Sequence, residues 1–190
     1  MVRGMIISVK GLQFVLHATP TKDVRYYLNG VLVSKNALVA TDGHRLAVSR
    51  HLKNLSNEQH EDFIIPIEAV KMALKMQPKA WDEIEVTSEK IGDLNYQAID
   101  GRYPNWAQVI PEKVTHDDAV YNPVYLAESY KALAKINDLK KEYNEINLSK
   151  NGDASGIIQG PDKNHFVVLM PFSSRKVELK ATPYTSWAKL

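Results

Sequence analysis

Two side chains that could carry acid–base chemistry, with an arginine beside them, lie close together in the stretch LVATDGHRLAVSR, residues 38–50. Asp42 and His44 flank the glycine of an Asp-Gly turn, and Arg45 follows directly. A carboxylate near an imidazole could exchange a proton with it, which is one interpretation of the turn. The other is structural, because a carboxylate at an Asp-Gly turn usually accepts hydrogen bonds from nearby backbone N–H groups. The residue types favour the structural role and leave the catalytic one open.

Other catalytic and metal-binding patterns are missing from the sequence. The six histidines form neither an HExxH motif nor a paired spacing, so we predict no metal site. There is no cysteine, and no serine, threonine or lysine stands in a recognisable nucleophile motif. The glycine-rich residues 151–160 lack the Lys-Ser/Thr of a phosphate-binding loop and indicate a hairpin turn. We therefore predict a protein that is not an enzyme and needs no cofactor.

The composition is that of an ordinary folded protein with little net charge. The 190 residues are 44% hydrophobic and 24% charged, with a net charge of +2. No apolar run approaches the roughly 20 residues that cross a bilayer, so we expect no membrane contact. The absence of cysteine fits a reducing compartment, and we expect a cytoplasmic protein. Any contact with DNA must come from local clusters of basic residues.

A repeat of about 56 residues organises the chain. Each copy has a short β-rich run, a helix, and two or three further β-rich runs, and the helices begin near Lys10, Ile67 and Pro123. This βαβββ pattern predicts an α+β fold built from repeated half-domains. We expect a complete domain at 1–115, made of a first unit (about 1–60) and a second unit (about 61–115). A third unit (116–175) and a tail (176–190) follow.

Several strands are predicted from runs of β-forming residues. The segment VRYYLNGVLV is expected to be a strand of the first unit, IGDLNYQAID of the second, and DDAVYNP of the third. Because the number of units is odd, the third lacks an internal partner and would leave its helix and sheet edge exposed. That predicts an oligomer. The alternative is that the tail folds back over the third unit.

Five lysines lie on or just before the three helices, on the polar faces: Lys10, Lys71, Lys75, Lys131 and Lys135. If the helices lie side by side, these lysines form one basic surface suited to a phosphate backbone. Exposed helix lysines also serve solubility, so the pattern alone does not decide.

Four motifs together resemble one protein family. VRYYLNGVLV, VATDGHRLAV, DGRYPNWAQVIP and VVLMPF are similar, in this order, to motifs of the bacterial DNA polymerase III beta subunit, the sliding clamp. Residues 5–114 resemble the middle domain of the clamp from end to end. Residues 117–173 resemble the second half of its last domain, from the helix in YNPVYLAES to the strand in VVLMPF.

The resemblance implies a DNA clamp fold, in which helices line a ring around duplex DNA and antiparallel sheets form the outside. A family ring has twelve half-domains, so chains of three units would close as a tetramer, and an open dimer is the other possibility. The resemblance also implies a hydrophobic pocket that takes short peptides. Carried over by motif, its residues are Leu28, Thr41, Gly43, His44, Arg45, Leu46, Pro104, Val109, Val168, Leu169, Met170, Pro171 and Phe172.

The resemblance agrees with the five helix lysines as DNA-binding residues and implies a further DNA-binding loop in TKDVRYY. That loop adds Lys22, Arg25, Tyr26 and Tyr27, which would contact phosphate and stack on bases. Two positions depart from the family pattern. Gln108 stands where the family often has arginine at the pocket edge, and Glu68 stands where the second helix usually begins with a basic pair. Glu68 would repel phosphate.

These observations predict a sliding-clamp-like processivity factor that encircles double-stranded DNA as a homo-oligomer. Its partners would be a DNA polymerase and other proteins with short hydrophobic clamp-binding motifs, and a clamp loader is a further candidate. The alternative is a clamp that forms no ring, binds the same peptides and competes with a host replication clamp.

Overall fold

The computed structural model describes residues 4–51, 61–76, 82–139 and 146–172. Its helices are α1 (Val9–Val15), α2 (Ile67–Met76) and α3 (Pro123–Ile136). The strands are β1 (Met5–Ser8), β2 (Gly30–Val33), β3 (Ala37–Thr41), β4 (Arg45–Arg50), β5 (Phe63–Pro66), β6 (Glu83–Val86), β7 (Lys90–Ile91), β8 (Leu94–Asn95), β9 (Asn147–Ser149), β10 (Gly156–Gln159) and β11 (His165–Leu169). Each helix begins within one residue of its predicted position. The tail predicted at 176–190 lies outside the described residues.

Local sequence explains where the helices begin. The Ser8 hydroxyl accepts a hydrogen bond from the Gly11 N–H at 3.1 Å, which caps α1. The Asn122 side chain accepts one from the Val124 N–H at 2.9 Å, and Pro123 occupies the first helical position of α3. Both caps satisfy N–H groups that have no partner inside a helix, and proline has no N–H to satisfy.

The first and second units exchange their first strands. β1 of the first unit pairs antiparallel with β6 of the second, with Ser8 opposite Glu83. β5 of the second unit pairs with β2 of the first, with Pro66 opposite Gly30. In both pairs, the residue just before a helix lies opposite the first residue of the strand that follows the helix of the other unit. The two units therefore complete each other's sheets.

The third unit extends the sheet of the first. β11 pairs antiparallel with β4 along its whole length, with Leu169 opposite Arg45 and Val168 opposite Leu46. The result is a seven-stranded sheet in the order β5-β2-β3-β4-β11-β10-β9, beside a four-stranded sheet in the order β1-β6-β7-β8. α3 packs on α1, and Leu133 of α3 is fully buried. The prediction that the third unit leaves its helix without an internal partner is therefore wrong.

Two hydrophobic cores lie on opposite faces of the seven-stranded sheet. The larger one joins the three helices to the inner faces of both sheets, and Leu12, Val70 and Leu133 contribute to it from one helix each. The smaller one, which we call the outer core, is covered by Tyr103 and Trp106. Because both faces of β2 and β3 are covered, these strands are apolar throughout and show no alternation.

Three predicted strands are shorter than expected or absent within the described residues. Tyr26–Leu28 forms a 3-10 helix before β2, and residues 96–100 continue past β8 without strand pairing. Residues 117–122, predicted as the first strand of the third unit, have no strand assignment. The equivalent strands β1 and β5 pair with another unit, and among the described residues the third unit has no such partner.

Candidate peptide-binding site

The Asp-Gly turn between β3 and β4 is held by its own side chains. One oxygen of Asp42, Oδ1, accepts hydrogen bonds from the N–H groups of His44 and Arg45, both at 2.9 Å. The Thr41 hydroxyl accepts from the Gly43 N–H at 3.0 Å and donates to the Arg45 carbonyl at 2.7 Å. Gly43 adopts a φ of 88°, which L-residues disfavour. Asp42 is thus occupied by the turn, which favours its structural role over that of a catalytic base.

Arg45 connects the turn to the third unit. Its side chain is only 8% exposed, and its Nε donates to Asp42 Oδ2 at 3.1 Å. Its Nη1 donates to Glu128 Oε2 of α3 at 2.5 Å, and its guanidinium lies 4.6 Å from the ring centre of Tyr125. The His44 ring stacks on the same tyrosine at 6.0 Å. The turn therefore serves as a joint between the first and third units, in addition to linking two strands.

A cavity of about 220 Å³ opens where β4 meets β11. Leu46 and Val168, opposite each other in the sheet, form part of its floor, and the exposed Met170 stands at its edge. The Met170 N–H donates to the His44 carbonyl at 2.9 Å, which ties the two walls together. Ten of the predicted pocket residues line this cavity: Leu28, Thr41, Gly43, His44, Arg45, Leu46, Pro104, Val109, Val168 and Met170.

Three predicted pocket residues do not line the cavity. Leu169 is buried in the larger core, because successive residues of a strand point to opposite faces and Val168 faces the cavity. Pro171 and Phe172 follow β11 and are absent from the lining, although Phe172 is half exposed. Gln108, predicted at the pocket edge, is exposed and does not line the cavity either.

Arg25 lies at the rim of this cavity, although the sequence interpretation assigned it to DNA. Asp23 holds its guanidinium through Nε at 2.9 Å and Nη2 at 2.7 Å. These bonds lower the pKa of Asp23 to about 2. A Cβ added to Gly43 would lie 2.8 Å from Arg25 Nη2, so the glycine makes room for the arginine. Asn105 and Trp106 also line the cavity.

The 3-10 helix Trp106–Val109 forms the outer lip of the cavity and is fixed from two sides. Trp106 packs on the outer core, and the Val109 carbonyl accepts a hydrogen bond from the Ser155 hydroxyl of the third unit at 2.7 Å. The second unit's last segment, the first unit's turn and the third unit's last strand thus converge on one apolar cleft. A basic group, Arg25, stands beside it.

The predicted DNA-binding residues fall into two groups. The five lysines are exposed on the helices, and Lys10, Lys131 and Lys135 line a cleft of about 330 Å³ between α1 and α3. Lys22, Tyr26 and Tyr27 lie with Arg25 in the loop before β2, where Tyr27 packs on the outer core. That loop belongs to the opposite face of the seven-stranded sheet from the helices.

Two of the helix lysines are already paired with carboxylates. Asp138 accepts from Lys10 Nζ at 2.8 Å, which raises the lysine's pKa, and Glu68 accepts from Lys71 Nζ at 3.0 Å. Glu68, noted as a departure from the family pattern, therefore partly cancels the charge of its own helix. Lys75, Lys131 and Lys135 form no ion pair with another residue of the described ranges.

Neither a metal centre nor a membrane segment is visible in the part of the chain that the structure describes. No group of three His, Asp or Glu side chains in these ranges is placed to hold a metal ion. None of the described helices is long and apolar enough to cross a membrane.

Comparison with known sequences identifies relatives of this chain. The family model of the DNA polymerase III beta subunit, central domain, matches residues 6–105. The beta sliding clamp of Pseudomonas putida is 32% identical over 107 residues, which are 50% of this chain and 29% of that protein. The beta sliding clamp of Vibrio cholerae is 28% identical over 146 residues, 69% of this chain and 38% of that protein. The chain thus spans well under half of these curated relatives.

Solved structures show the same fold. The DNA polymerase III subunit beta of Pseudomonas aeruginosa matches with a TM-score of 0.70 at 16% identity, over 90% of this chain and 66% of that one. The Borrelia burgdorferi subunit matches with a TM-score of 0.67 at 17% identity, over 90% of this chain and 64% of that one. A coverage of 90% extends past residue 105 into the third unit. The predicted α+β clamp fold is confirmed.

Proposed function

The chain belongs to the DNA polymerase III beta subunit family, and from that membership we propose that it is a non-enzymatic DNA clamp that tethers partner proteins through the pocket at the β4–β11 joint. The observation that carries the proposal is the pocket itself. Its lining joins Leu46 of the first unit to Val168 and Met170 of the third, more than 100 residues later in the chain, so both units contribute to it. The partners would be a DNA polymerase and other cytoplasmic proteins with short hydrophobic motifs.

The chemistry of the cleft suits a short peptide with a large apolar side chain. Leu28, Leu46 and Val168 supply an apolar floor, and a volume of about 220 Å³ accommodates one or two leucine- or phenylalanine-sized groups. Exposed backbone at Gly43 allows a peptide chain to approach closely. Arg25 and His44 at the rim would fix the direction of the peptide through its polar groups.

Peptide binding is tested best at Met170, which is 46% exposed and lines the cavity. We expect Met170→Ala to weaken binding of a fluorescein-labelled Leu-Phe peptide by about tenfold or more in fluorescence anisotropy. Phe172→Ala is the matched control, because Phe172 is similarly exposed but outside the cavity. Leu46→Ala is less suitable, since Leu46 is buried and its truncation would also destabilise the fold. Equal affinities for the two variants would contradict the site.

Contact with duplex DNA rests on the lysines that face the α1–α3 cleft. We expect Lys131→Glu with Lys135→Glu to abolish most binding at 50 mM salt and to reduce the slope of log affinity against log salt by about 2. Lys90→Glu with Lys163→Glu changes the net charge equally at exposed positions outside the helices and serves as the control. If both double variants lose affinity equally, the helices do not form the DNA surface.

Encirclement distinguishes a ring from the alternative, a clamp without a ring that competes for peptides. A ring of four chains would supply the twelve half-domains of a family ring. A closed ring is retained on circular DNA and slides off the linearised form, which a bead-bound plasmid measures before and after cutting. The alternative draws support from the ion pairs of Lys10 and Lys71, which reduce the charge of the helix face. Peptide binding without any retention on circular DNA would favour it.

A further inference from the structure

The third unit has an incomplete sheet, and the first two units show what completes one. β2 and β6 each directly follow the helix of their own unit, and each is covered at its outer side by the first strand of the other unit. β9 holds the same position in the third unit. Its inner side pairs with β10, and no strand among the described residues pairs with its outer side.

The segment before α3, which corresponds to the first strand of each of the other two units, is not paired as a strand either. Residues 117–122 precede α3 as β1 precedes α1 and β5 precedes α2, yet they have no strand assignment. They cross the end of their own sheet, where the Val120 carbonyl accepts from the Phe172 N–H at 2.8 Å and Asp117 accepts from the Gly152 N–H at 3.4 Å. Within the described ranges, the third unit thus has one sheet edge without a paired strand and one segment, predicted as a strand, without a ladder.

The two surfaces complement each other chemically. Residues 119–122 (Ala-Val-Tyr-Asn) and the strand β9 (Asn-Leu-Ser) carry no charge, so no like charges would oppose each other in a ladder. The flanking residues carry opposite charges. Asp118 directly precedes residues 119–122, and Lys150 directly follows β9. Within one chain these two already attract each other, with Lys150 Nζ 2.6 Å from Asp118 Oδ1.

We propose that a second copy of this chain covers the edge, with two third units exchanging residues 119–122 onto each other's β9 around a two-fold axis. The pattern of the first two units sets the register: Asn122, before α3, lies opposite Asn147, the first residue of β9. Val120 of one copy then lies opposite Ser149 of the other. Such a contact is isologous, so each copy gives one strand and receives one.

This contact would turn two half-domains into one complete domain. It deepens the proposed function by naming one surface at which copies would meet. Because a two-fold contact closes on itself, a ring of four chains would need a second contact between the other ends of the chains. The inference rests on the proposed function only for its role in DNA encirclement. The paired dimer itself needs neither DNA nor peptide.

Cysteine cross-linking tests the contact directly, because the natural chain has no cysteine. Two single variants, Val120→Cys and Ser149→Cys, are mixed after one of them has received a mass tag, and then mildly oxidised. Directly opposite residues in an antiparallel pair have Cα atoms about 4.5–5.5 Å apart, which a disulfide spans. We expect a covalent heterodimer in the mixture and little cross-linking in either variant alone. Val120→Cys mixed with Lys90→Cys, on the other sheet, is the control and should remain uncoupled.

The outcomes separate this contact from the proposed function. Circular dichroism first verifies that every variant is folded, and light scattering should give about twice the 21.5 kDa chain mass or a multiple of it. A chain that stays monomeric, or that associates without the Val120–Ser149 cross-link, overturns the exchange. Cross-linking without retention on circular DNA supports the exchange and refutes the ring. Retention on circular DNA without cross-linking supports the ring and refutes the exchange.

Discussion

Replacing Arg45 with alanine should weaken the joint between the first and third units. The guanidinium is buried at the joint and contacts three groups at once: Asp42 of its own turn, and Glu128 and Tyr125 of α3. The β4–β11 ladder would persist, but the turn and α3 would lose the side chain that connects them. The buried carboxylate of Asp42 would also lose its cation.

The cost can be estimated from the exposure of each partner. Asp42 is 11% exposed, so its carboxylate would be left nearly dry without a counter-charge, which costs about 2 kcal/mol or more. Glu128 is 49% exposed, so water screens its ion pair with Arg45, which contributes well under about 1 kcal/mol. The cation–π contact with Tyr125 adds about 0.5–1 kcal/mol. We expect Arg45→Ala to lower the free energy of unfolding by about 3 kcal/mol.

Urea unfolding followed by far-ultraviolet circular dichroism measures this difference, and the slope with denaturant reports any loss of a single transition. Glu128→Gln is the matched control, since it removes the charge at the exposed end of the network and should cost less than about 1 kcal/mol. Arg45→Ala should also weaken peptide binding, because the walls of the pocket lose their connection. A cost for Arg45→Ala no larger than that for Glu128→Gln would refute the large contribution assigned to the Asp42–Arg45 contact.

Two further substitutions test the pH response and the turn. Burial lowers the pKa of His17 to about 4, below its usual 6.5, so the unfolded chain binds a proton at higher pH than the folded one. Protonation of His17 should therefore lower the free energy of unfolding by about 2 kcal/mol between pH 7.5 and pH 5. In His17→Phe this contribution should be absent, which urea unfolding at both pH values measures. Gly43→Ala places a Cβ at a φ of 88° and 2.8 Å from Arg25 Nη2, so it should cost about 1–2 kcal/mol and weaken peptide binding. Unchanged stability and anisotropy for Gly43→Ala would contradict the role assigned to the glycine.

The helices were predictable because their signals are local. Ser8 and Pro123 mark helix starts through their own hydrogen-bonding chemistry, and the apolar periodicity needs no knowledge of distant residues. The strands were less predictable, because a strand forms only where another strand lies beside it, and that strand can be distant in the sequence. β3 is buried on both faces and shows no alternation, and residues 117–122 were predicted as a strand but have no strand partner within the described chain.

Family resemblance supplied the list of pocket residues, and the structure shows which face of the sheet each side chain occupies. A motif read as a block includes both faces of a strand, so Leu169 was grouped with Val168 although the two side chains point into different cores. Arg25 was assigned to DNA with its neighbours in the loop, yet the hydrogen bonds of Asp23 turn it toward Gly43. A signal was available in the sequence, since Leu28 of the same loop was already placed in the pocket.

In the proposed clamp, the turn that first suggested catalysis would couple peptide binding to the docking of the third unit. A peptide that touches both Leu46 and Val168 meets a complete site only when β4 and β11 are paired. Whatever binds only the docked form stabilises that form by mass action, about 2.7 kcal/mol at a hundredfold excess over the dissociation constant. That amount is comparable to the contribution estimated for Arg45. A partner bound in the pocket would therefore strengthen the joint between the first and third units, to which Arg45 contributes through Glu128 and Tyr125.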